Sequence, residues 1–224
     1  MSEPLSPSVG MAVIHLFGHA AMDFDPSATI DAVNEAKARG TQVVGVSMLG
    51  HKADVAFMAV ASDMRDLRTF QSAIQRAGIF ITDSYVSLTE VSEYAANVPE
   101  EMKNARLYPQ IPIAGKNAWC FYPMSKKREA TDNWFTLPFE KRSELMMEHG
   151  KSGRAFAGRV VQLVTGSTGL DDYEWGVTLF AVNPDDLKDV VYTMRFDEAS
   201  AKYADFGQFY VGMVTPIEEL VTTL

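Results

Sequence analysis

His149 has the clearest chemical setting of the four histidines in this sequence. It lies near the end of a predicted helix, in residues 146–154, which are rich in glycine and basic side chains. A neutral imidazole binds iron well, and one histidine suffices to hold haem. A histidine at the carboxyl end of a helix also simply stabilises the helix dipole. His15 and His19, near a strand end, and His51, in a loop, are expected to be structural or exposed.

The densest basic cluster of the chain is in residues 122–128, where Tyr122 is followed by two lysines and an arginine. Together with Arg106 upstream, this cluster could bind a ligand that carries carboxylates or phosphates, because lysine and arginine donate charge-assisted hydrogen bonds. The alternative is a solvated basic loop tip, since runs of charge are weak signals.

Aromatic and methionine side chains are concentrated near these two segments. They could line a large, flat, apolar cofactor, although ordinary core packing also accounts for such a cluster. Its members are Phe121, Tyr122, Trp134, Phe135, Phe139, Met146 and Met147.

Several common sites lack their motifs. No G-x-G-x-x-G follows a predicted strand, so the dinucleotide fingerprint is missing, and no H-E-x-x-H zinc motif occurs. Gly150-Lys151-Ser152 resembles the end of a P-loop, but Leu145 stands where that motif requires glycine. The single cysteine, Cys120, excludes an internal disulfide and a cysteine-based zinc cluster.

The composition indicates an ordinary folded protein. The 224 residues are 47% hydrophobic and carry a net charge of -9, with a pI near 4.9. Such an acidic chain is poorly suited to gripping a nucleic-acid backbone. The first residues do not read as a secretory signal, and no apolar run approaches the roughly 18 residues of a membrane helix. We therefore expect a soluble, cytoplasmic protein with no nucleic-acid partner and no membrane span.

The first half of the chain reads as β-α-β-β-α-β. Strand patterns cover residues 11–17, 42–48, 54–61 and 79–88, and helical patterns cover residues 29–39 and 63–77. The second half repeats this order, with strands at 118–123, 159–165, 174–182 and 206–214 and helices at 138–150 and 184–194. Repetition over half the chain predicts two fused copies of one ferredoxin-like unit.

The predicted fold class is therefore α+β, with two fused ferredoxin-like repeats packed into a barrel-like arrangement. The predicted organisation is an N-terminal repeat in residues 1–98, a linker in 99–117 and a C-terminal repeat with the proposed site in 118–224. Residues 126–136 are expected to be irregular, and long loops of this kind often carry function.

Four segments in order resemble the chlorite dismutase-like superfamily, and within it the coproheme decarboxylases. The segments are Tyr122–Pro–Met–Ser–Lys–Lys–Arg, Trp134–Phe–Thr–Leu–Pro, His149–Gly–x–x–Gly–Arg, and the stretch from Gly166 to Phe180. The resemblance implies two ferredoxin-like repeats per subunit, commonly assembled as a homopentamer. It also implies oxidation of two propionates of iron coproporphyrin III (coproheme III) by hydrogen peroxide, giving haem b and CO2.

The same resemblance assigns roles to individual residues. His149 would be the proximal iron ligand, Tyr122 would become the radical that removes hydrogen from a propionate, and Lys126 would help to move the proton of that propionate. Gln162 would lie on the distal face, where chlorite dismutases carry arginine. The residues implied to hold propionates or the porphyrin are Arg106, Tyr122, Met124, Ser125, Lys126, Gln162 and Ser200.

Other outcomes remain open from the sequence. Chlorite decomposition to chloride and dioxygen is one alternative, which Gln162 disfavours, and a non-enzymatic haem-binding protein is another. Tyr94 is a further possible propionate ligand by resemblance. A transient contact with a coproporphyrin ferrochelatase is expected from the family, although no segment of the sequence marks a docking site.

Overall fold

The computed structural model describes residues 3–95 and 98–224. Residues 1–2, where a signal sequence would begin, and 96–97, inside the predicted N-terminal repeat, lie outside the described residues. The strands of the described part are β1 (Ala12–Ala20), β2 (Gln42–Met48), β3 (Val55–Ala61), β4 (Ile79–Thr89), β5 (Ala118–Lys126), β6 (Val160–Gly166), β7 (Trp175–Ala181), β8 (Ala204–Phe206) and β9 (Tyr210–Val214). The helices are α1 (Pro26–Ala38), α2 (Met64–Arg76), α3 (Glu100–Leu107), α4 (Phe139–Arg154), α5 (Pro184–Met194), α6 (Glu198–Ala201) and α7 (Ile217–Leu220), with a 3-10 turn at Trp134–Thr136.

The strands form two four-stranded antiparallel sheets that join at both edges. The strand orders are β4-β1-β3-β2 in the first repeat and β9-β5-β7-β6 in the second, so each repeat has the ferredoxin-like order. β4 pairs with β6 and β2 pairs with β9, which closes the eight strands into a barrel. The predicted fold class is confirmed. β8 lies outside the ring and pairs with the end of β5.

Local sequence signals account for the helix bounds of the first repeat. The Asp25 carboxylate accepts a hydrogen bond from Ala28 N at 3.0 Å, and Pro26 begins α1. The Asp63 carboxylate likewise caps α2 through Arg65 N at 3.0 Å. α2 is followed by Gly78 at φ 87°, a left-handed conformation that glycine adopts at no steric cost.

The core has an interior layer and outer layers. The barrel interior is filled from both repeats, with Phe17, Met58, Trp119, Phe121 and Phe180 among its fully buried side chains. The outer face of the first sheet packs against α1, α2 and α7. The outer face of the second sheet packs against α5, and α4 packs against α5 and α6. This outer face of the second sheet, the helix-side face, carries the candidate site.

Some predicted elements differ from the structure. The segment predicted as a linker contains α3, and the last predicted strand, 206–214, is two strands separated by residues 207–209. The irregular segment 126–136 contains the 3-10 turn, while β5 extends to Lys126 and α4 to Arg154. The predicted bounds of β2 and α5 are confirmed. Within residues 3–95 and 98–224, no helix is both long and apolar enough to cross a membrane.

Candidate functional site

Tyr122 is a buried member of β5 on the helix-side face. Across the sheet it pairs with Val177 of β7, which pairs with Val164 of β6. On its other side, the ring of Phe209 stacks on the Tyr122 ring with centroids 4.4 Å apart. Burial raises the pKa of the Tyr122 phenol, so the hydroxyl keeps its proton at neutral pH. The phenol is therefore a protonated group held within a row of apolar side chains.

Gln162 lies on the same face, one row away from Tyr122. It pairs with Leu179 of β7, which pairs with Cys120 of β5. Directly opposed residues point to the same side of a sheet, so the Gln162 amide shares the face of the phenol. Gln162 is exposed to solvent. Its amide is therefore accessible to a molecule that lies over this face.

Lys126 ends β5 four residues after Tyr122 and is almost completely buried. Its ammonium donates a hydrogen bond to the Ala199 carbonyl at 2.7 Å and lies 4.4 Å from the Trp134 ring centroid. Burial lowers the pKa of Lys126 to about 8, and the charge of Glu174 opposes this shift. Lys126 therefore loses its charge near pH 8, well below the range of an exposed lysine.

His149 lies in α4 and bonds to a buried carboxylate. Its Nδ1–H donates to Asp197 Oδ2 at 3.2 Å, and Ser152 Oγ donates to Asp197 Oδ1 at 2.7 Å. Burial, and then the charge of Lys126, lower the pKa of His149, whereas Asp197 opposes the shift. A neutral imidazole whose Nδ1 is fixed by a carboxylate presents Nε2 for coordination, as metal-ligating histidines commonly do.

The short helix α6 contacts both His149 and Lys126. Ser200 Oγ lies 3.4 Å from His149 Nδ1, while the carbonyl of the preceding residue, Ala199, accepts the hydrogen bond of Lys126. The structure thus brings His149, Lys126 and Ser200 together. Ser200, which resemblance assigns to a propionate, here lies beside the histidine.

The predicted basic cluster is divided in the structure. Arg128 forms an ion pair with the buried Glu174 carboxylate, and Lys127 lies 3.9 Å from Glu129. Arg106 is exposed on α3, and within the described residues no contact joins it to the Lys126–Arg128 segment. Of the cluster, Lys126 is therefore the member placed at the site, while the Arg128 charge is already compensated by Glu174.

Met124 and Ser125 occupy opposite sides of β5. Met124 shares the helix-side face with Tyr122, because alternate residues of a strand point to one side. Ser125 Oγ accepts a hydrogen bond from Glu174 N at 3.1 Å. Tyr94, the further possible propionate ligand, accepts a hydrogen bond from Arg142 Nε at 3.0 Å through its hydroxyl.

Of the three remaining histidines, which were expected to be structural or exposed, His15 is buried and the other two are partly or largely exposed. His15 lies within β1 in the barrel interior rather than at its end, and its Nε2 lies 2.9 Å from Thr178 Oγ1. His19 Nδ1 lies 3.1 Å from Asp54. His51 is exposed in the turn between β2 and β3.

The helix-side face has the character that a flat apolar ligand requires. Val164, Phe206 and Phe209 remain more than a third exposed there. Exposed apolar side chains grouped on one face indicate a binding surface. A cavity of about 350 Å³ lies elsewhere, between the Val43–Gly45 part of β2 and residues 112–117. Within the described residues, no group of three or more His, Cys, Asp or Glu side chains could hold a bare metal ion, whereas His149 alone suits an iron porphyrin.

Two functional contacts were not predicted from the sequence. Asp197 is 48 residues from His149 in the chain, and Phe209 is far from Tyr122, so no spacing signal links either pair. The cation–π contact between Lys126 and Trp134 joins two residues that both lie in segments noted in the sequence. Their contact depends on the loop that turns back after β5, which the sequence did not predict.

A protein-family model described as "Chlorite dismutase" matches residues 26–215, most of the chain. The chain belongs to the chlorite dismutase family. Among curated proteins, it is 45% identical to "Coproheme decarboxylase" of Staphylococcus saprophyticus over 184 residues, 78% of this chain and 73% of that protein. It is also 45% identical to "Coproheme decarboxylase" of Staphylococcus carnosus over 186 residues, 79% of this chain and 74% of that protein.

Solved structures in the family share the fold. A heme-binding protein from Thermus thermophilus superposes with a TM-score of 0.83 at 32% identity, covering 99% of this chain and 98% of that one. Chlorite dismutase from Candidatus Nitrospira defluvii, in complex with imidazole, has a TM-score of 0.76 at 21% identity, covering 96% and 95%. At this lower identity the likeness concerns the fold alone.

Proposed function

We propose that this protein is a coproheme decarboxylase, which converts two propionates of coproheme III to vinyl groups with hydrogen peroxide and releases haem b and CO2. The observation that carries the proposal is Tyr122, held in β5 on the same face as Gln162 and four residues before the buried Lys126. The 45% identity to coproheme decarboxylases supports the choice of substrate.

The reaction is balanced for each propionate. One propionic acid side chain and one hydrogen peroxide give one vinyl group, one CO2 and two waters. The side chain gives up one hydrogen atom from the carbon next to the ring, one further electron and the carboxyl proton, so it is oxidised by two electrons. The electron pair of the broken carboxyl C–C bond becomes the second bond of the vinyl group, and peroxide is reduced to two waters. The reduction of peroxide is the chemistry that the iron porphyrin would supply when bound.

His149 is suited to hold the iron. Its Nδ1–H donates a hydrogen bond to Asp197, which fixes the orientation of the ring and leaves Nε2 free to bind the iron. The Asp197 carboxylate is itself fixed by Ser152. These two hydrogen bonds, from Ser152 to Asp197 and from His149 to Asp197, orient the imidazole and increase its electron donation to a bound metal.

Tyr122 is assigned the hydrogen transfer. Its phenol gives up one hydrogen atom and then recovers one from the propionate methylene. Burial raises the pKa of the phenol, so the group starts protonated and the transferred particle is a neutral hydrogen atom. The flanking Val177 and Phe209 limit the access of water to the ring.

Lys126 is assigned to the carboxylate of the reacting propionate. A buried ammonium with few charged neighbours gains most from an anionic partner, because burial costs the unpaired charge free energy. On the family resemblance alone, Arg106, Met124, Ser125 and Ser200 are proposed to hold the other propionates, although Ser125 lies on the opposite side of β5 from Tyr122. Gln162 is proposed to supply a neutral hydrogen bond on the distal side. A neutral amide at this position does not offer the positive charge that would retain a chlorine oxyanion.

The wider setting is part of the same proposal. We infer a cytoplasmic homopentamer that receives coproheme through transient contact with a coproporphyrin ferrochelatase, on the strength of the family resemblance. Light scattering on the purified protein tests the oligomeric number, and crosslinking with the ferrochelatase tests the contact.

Titration with peroxide tests the function. Purified protein is mixed with iron coproporphyrin III, hydrogen peroxide is added stepwise, and the porphyrin mass is followed. We expect two successive losses of a carboxyl group, and an unchanged mass would contradict the proposal. A parallel trial with chlorite in an oxygen electrode is expected to release no dioxygen above the level of free haem. Stable porphyrin binding with no change of mass would instead indicate a haem-binding protein.

A further inference from the structure

The ring of Tyr122 is oriented by packing against two phenylalanines. Phe209 stacks on it at a centroid distance of 4.4 Å with 22° between the planes, and Phe206 meets it edge-on at 5.7 Å. Within residues 3–95 and 98–224, the phenol hydroxyl makes no hydrogen bond to a protein group. The ring plane of Tyr122 is therefore determined by its aromatic neighbours.

Phe209 belongs to a short segment, residues 207–209, that is itself anchored beside Tyr122. Gly207 N donates to the Pro123 carbonyl at 2.8 Å. A Cβ at Gly207 would lie 2.6 Å from Pro123 Cγ and 2.7 Å from the Tyr173 ring, so only glycine lets the segment approach this closely.

The first repeat also holds this segment. Lys52, in the turn between β2 and β3, donates a hydrogen bond from Nζ to the Phe209 carbonyl at 2.5 Å. Its ammonium also lies 5.6 Å from the ring centroid of Tyr210. Tyr210 points into the barrel, where its ring stacks on Phe17 with centroids 3.8 Å apart. Phe209 is thus fixed at its carbonyl by one repeat while its ring packs on a residue of the other.

We propose that Phe209 is a positioning residue for the hydrogen transfer by Tyr122, and that Lys52 acts through Phe209 as a tether from the N-terminal repeat. This inference rests on the proposed function. Hydrogen-atom transfer requires near contact and alignment between the phenol oxygen and the donor carbon, and a misplacement of about 1 Å can reduce a rate about 100-fold. Phe209 packs directly on the Tyr122 ring, so we expect it to affect the rate through the orientation of that ring.

Two pairs of variants separate positioning from folding. Phe209→Leu keeps an apolar side chain and loses the stacked ring, and its matched control is Phe80→Leu, an exposed phenylalanine of β4. Lys52→Met removes the hydrogen bond to the Phe209 carbonyl, whereas Lys52→Arg keeps a donor there. The Lys52 pair leaves every side chain around Tyr122 in place, so it tests the proposal even if Phe209→Leu folds poorly.

Three quantities are measured on each full-length protein: the affinity for coproheme, the single-turnover rate of the first carboxyl loss, and the electron paramagnetic resonance spectrum of the tyrosyl radical trapped by rapid freezing. That spectrum depends on the angle between the ring and its Cβ hydrogens, so it reports ring orientation directly. At saturating coproheme, so that any change in affinity does not enter the rate, we expect Phe209→Leu to slow the first carboxyl loss about tenfold or more and to alter the radical spectrum. Lys52→Met is expected to shift the rate and spectrum in the same direction, with Lys52→Arg restoring both.

The outcomes are distinguishable. Wild-type rate and spectrum in both Phe209→Leu and Lys52→Met would overturn this inference while leaving the proposed function intact. A slower rate with an unaltered radical spectrum would also overturn it, because the ring would not have moved. If the wild-type protein leaves the porphyrin mass unchanged, the proposed function itself fails, and this inference fails with it.

Discussion

The ammonium of Lys126 lies 4.4 Å from the ring centroid of Trp134, on the side of the strand end where its Nζ also bonds the Ala199 carbonyl. The aromatic ring and the carbonyl partly replace the hydration that burial removes. They do not replace it fully, since the pKa of Lys126 is lowered to about 8. The Lys126 ammonium is therefore still charged at neutral pH. A carboxylate would stabilise this charge better than the Trp134 ring or the Ala199 carbonyl does.

Coproheme affinity is expected to depend on the charge of Lys126. As pH rises above about 8, the free protein loses this proton, and binding that requires the ammonium weakens by about tenfold per pH unit. Lys126→Met should abolish this dependence, and Lys188→Met, an exposed lysine of α5, should retain it. Spectrophotometric titrations with coproheme at several pH values measure the effect. An identical pH dependence in Lys126→Met and the wild type would contradict the assignment.

The stability of the coproheme-free protein is expected to increase with pH over the range in which the affinity for coproheme decreases. The pKa of Lys126 is lowered from 10.5 in the unfolded chain to about 8 in the fold, so the unfolded state binds more protons between these values. The free energy of unfolding attributable to this group therefore rises with pH, by at most about 1.4 kcal/mol per pH unit. Urea unfolding of the wild type and Lys126→Met gives the difference in slope, and equal slopes would exclude a buried ammonium.

Asp197→Asn is expected to change the iron bound at His149. Replacing the carboxylate weakens the hydrogen bond from Nδ1–H, so the imidazole donates less electron density and the midpoint potential of the bound iron rises. Loss of such a partner typically costs about 10- to 100-fold in metal affinity. Spectroelectrochemistry on the coproheme complex measures the potential, with Asp189→Asn on the exposed side of α5 as the control. A potential equal to that of the wild type would contradict an influence of Asp197 on the iron through His149.

His15 is expected to make the barrel sensitive to acid. Burial lowers its pKa from 6.5 to about 3, so between these values the unfolded chain binds a proton that the folded protein does not. Stability attributable to His15 is therefore lost as pH falls from about 6.5, by up to about 1.4 kcal/mol per pH unit. His15→Leu should flatten the decline of the unfolding free energy between pH 7 and about 5, whereas His51→Gln should not. A decline as steep in His15→Leu as in the wild type would show that other groups cause it.

The repeat could be predicted from the sequence because its signals are local. Helices opened by Asp25 or Asp63 and followed by Gly40 or Gly78 lie between short apolar strands, so each signal spans only a few residues. Closure of the barrel depends instead on the pairing of β2 with β9, which joins residues more than 160 positions apart. The break in the last predicted strand depends on the approach of Gly207 to Pro123, a contact that strand periodicity does not record.

The residues of the candidate site could be predicted from the sequence, but the contacts between them could not. Tyr122, Lys126 and His149 stand in distinctive motifs, whereas Phe209, Ala199 and Asp197, which contact them, are distant in the chain and outside those motifs. Arg128 illustrates the limit: its charge counted toward the basic cluster, yet it is neutralised by Glu174, 46 residues later. Whether a cluster of like charge is free to bind a ligand depends on pairing that only the fold determines.

Tyr122→Phe separates the binding of coproheme from the hydrogen transfer proposed for this tyrosine. The variant removes one hydroxyl from a ring held by Phe209 and Val177, so the fold and the surface that would receive coproheme are preserved. Wild type, Tyr122→Phe and the exposed control Tyr192→Phe are each loaded with coproheme and treated with peroxide, and the porphyrin mass is measured. We predict that all three bind coproheme, and that wild type and Tyr192→Phe lose two carboxyl groups while Tyr122→Phe loses none. Two carboxyl losses in Tyr122→Phe at the wild-type rate would contradict hydrogen transfer by this tyrosine.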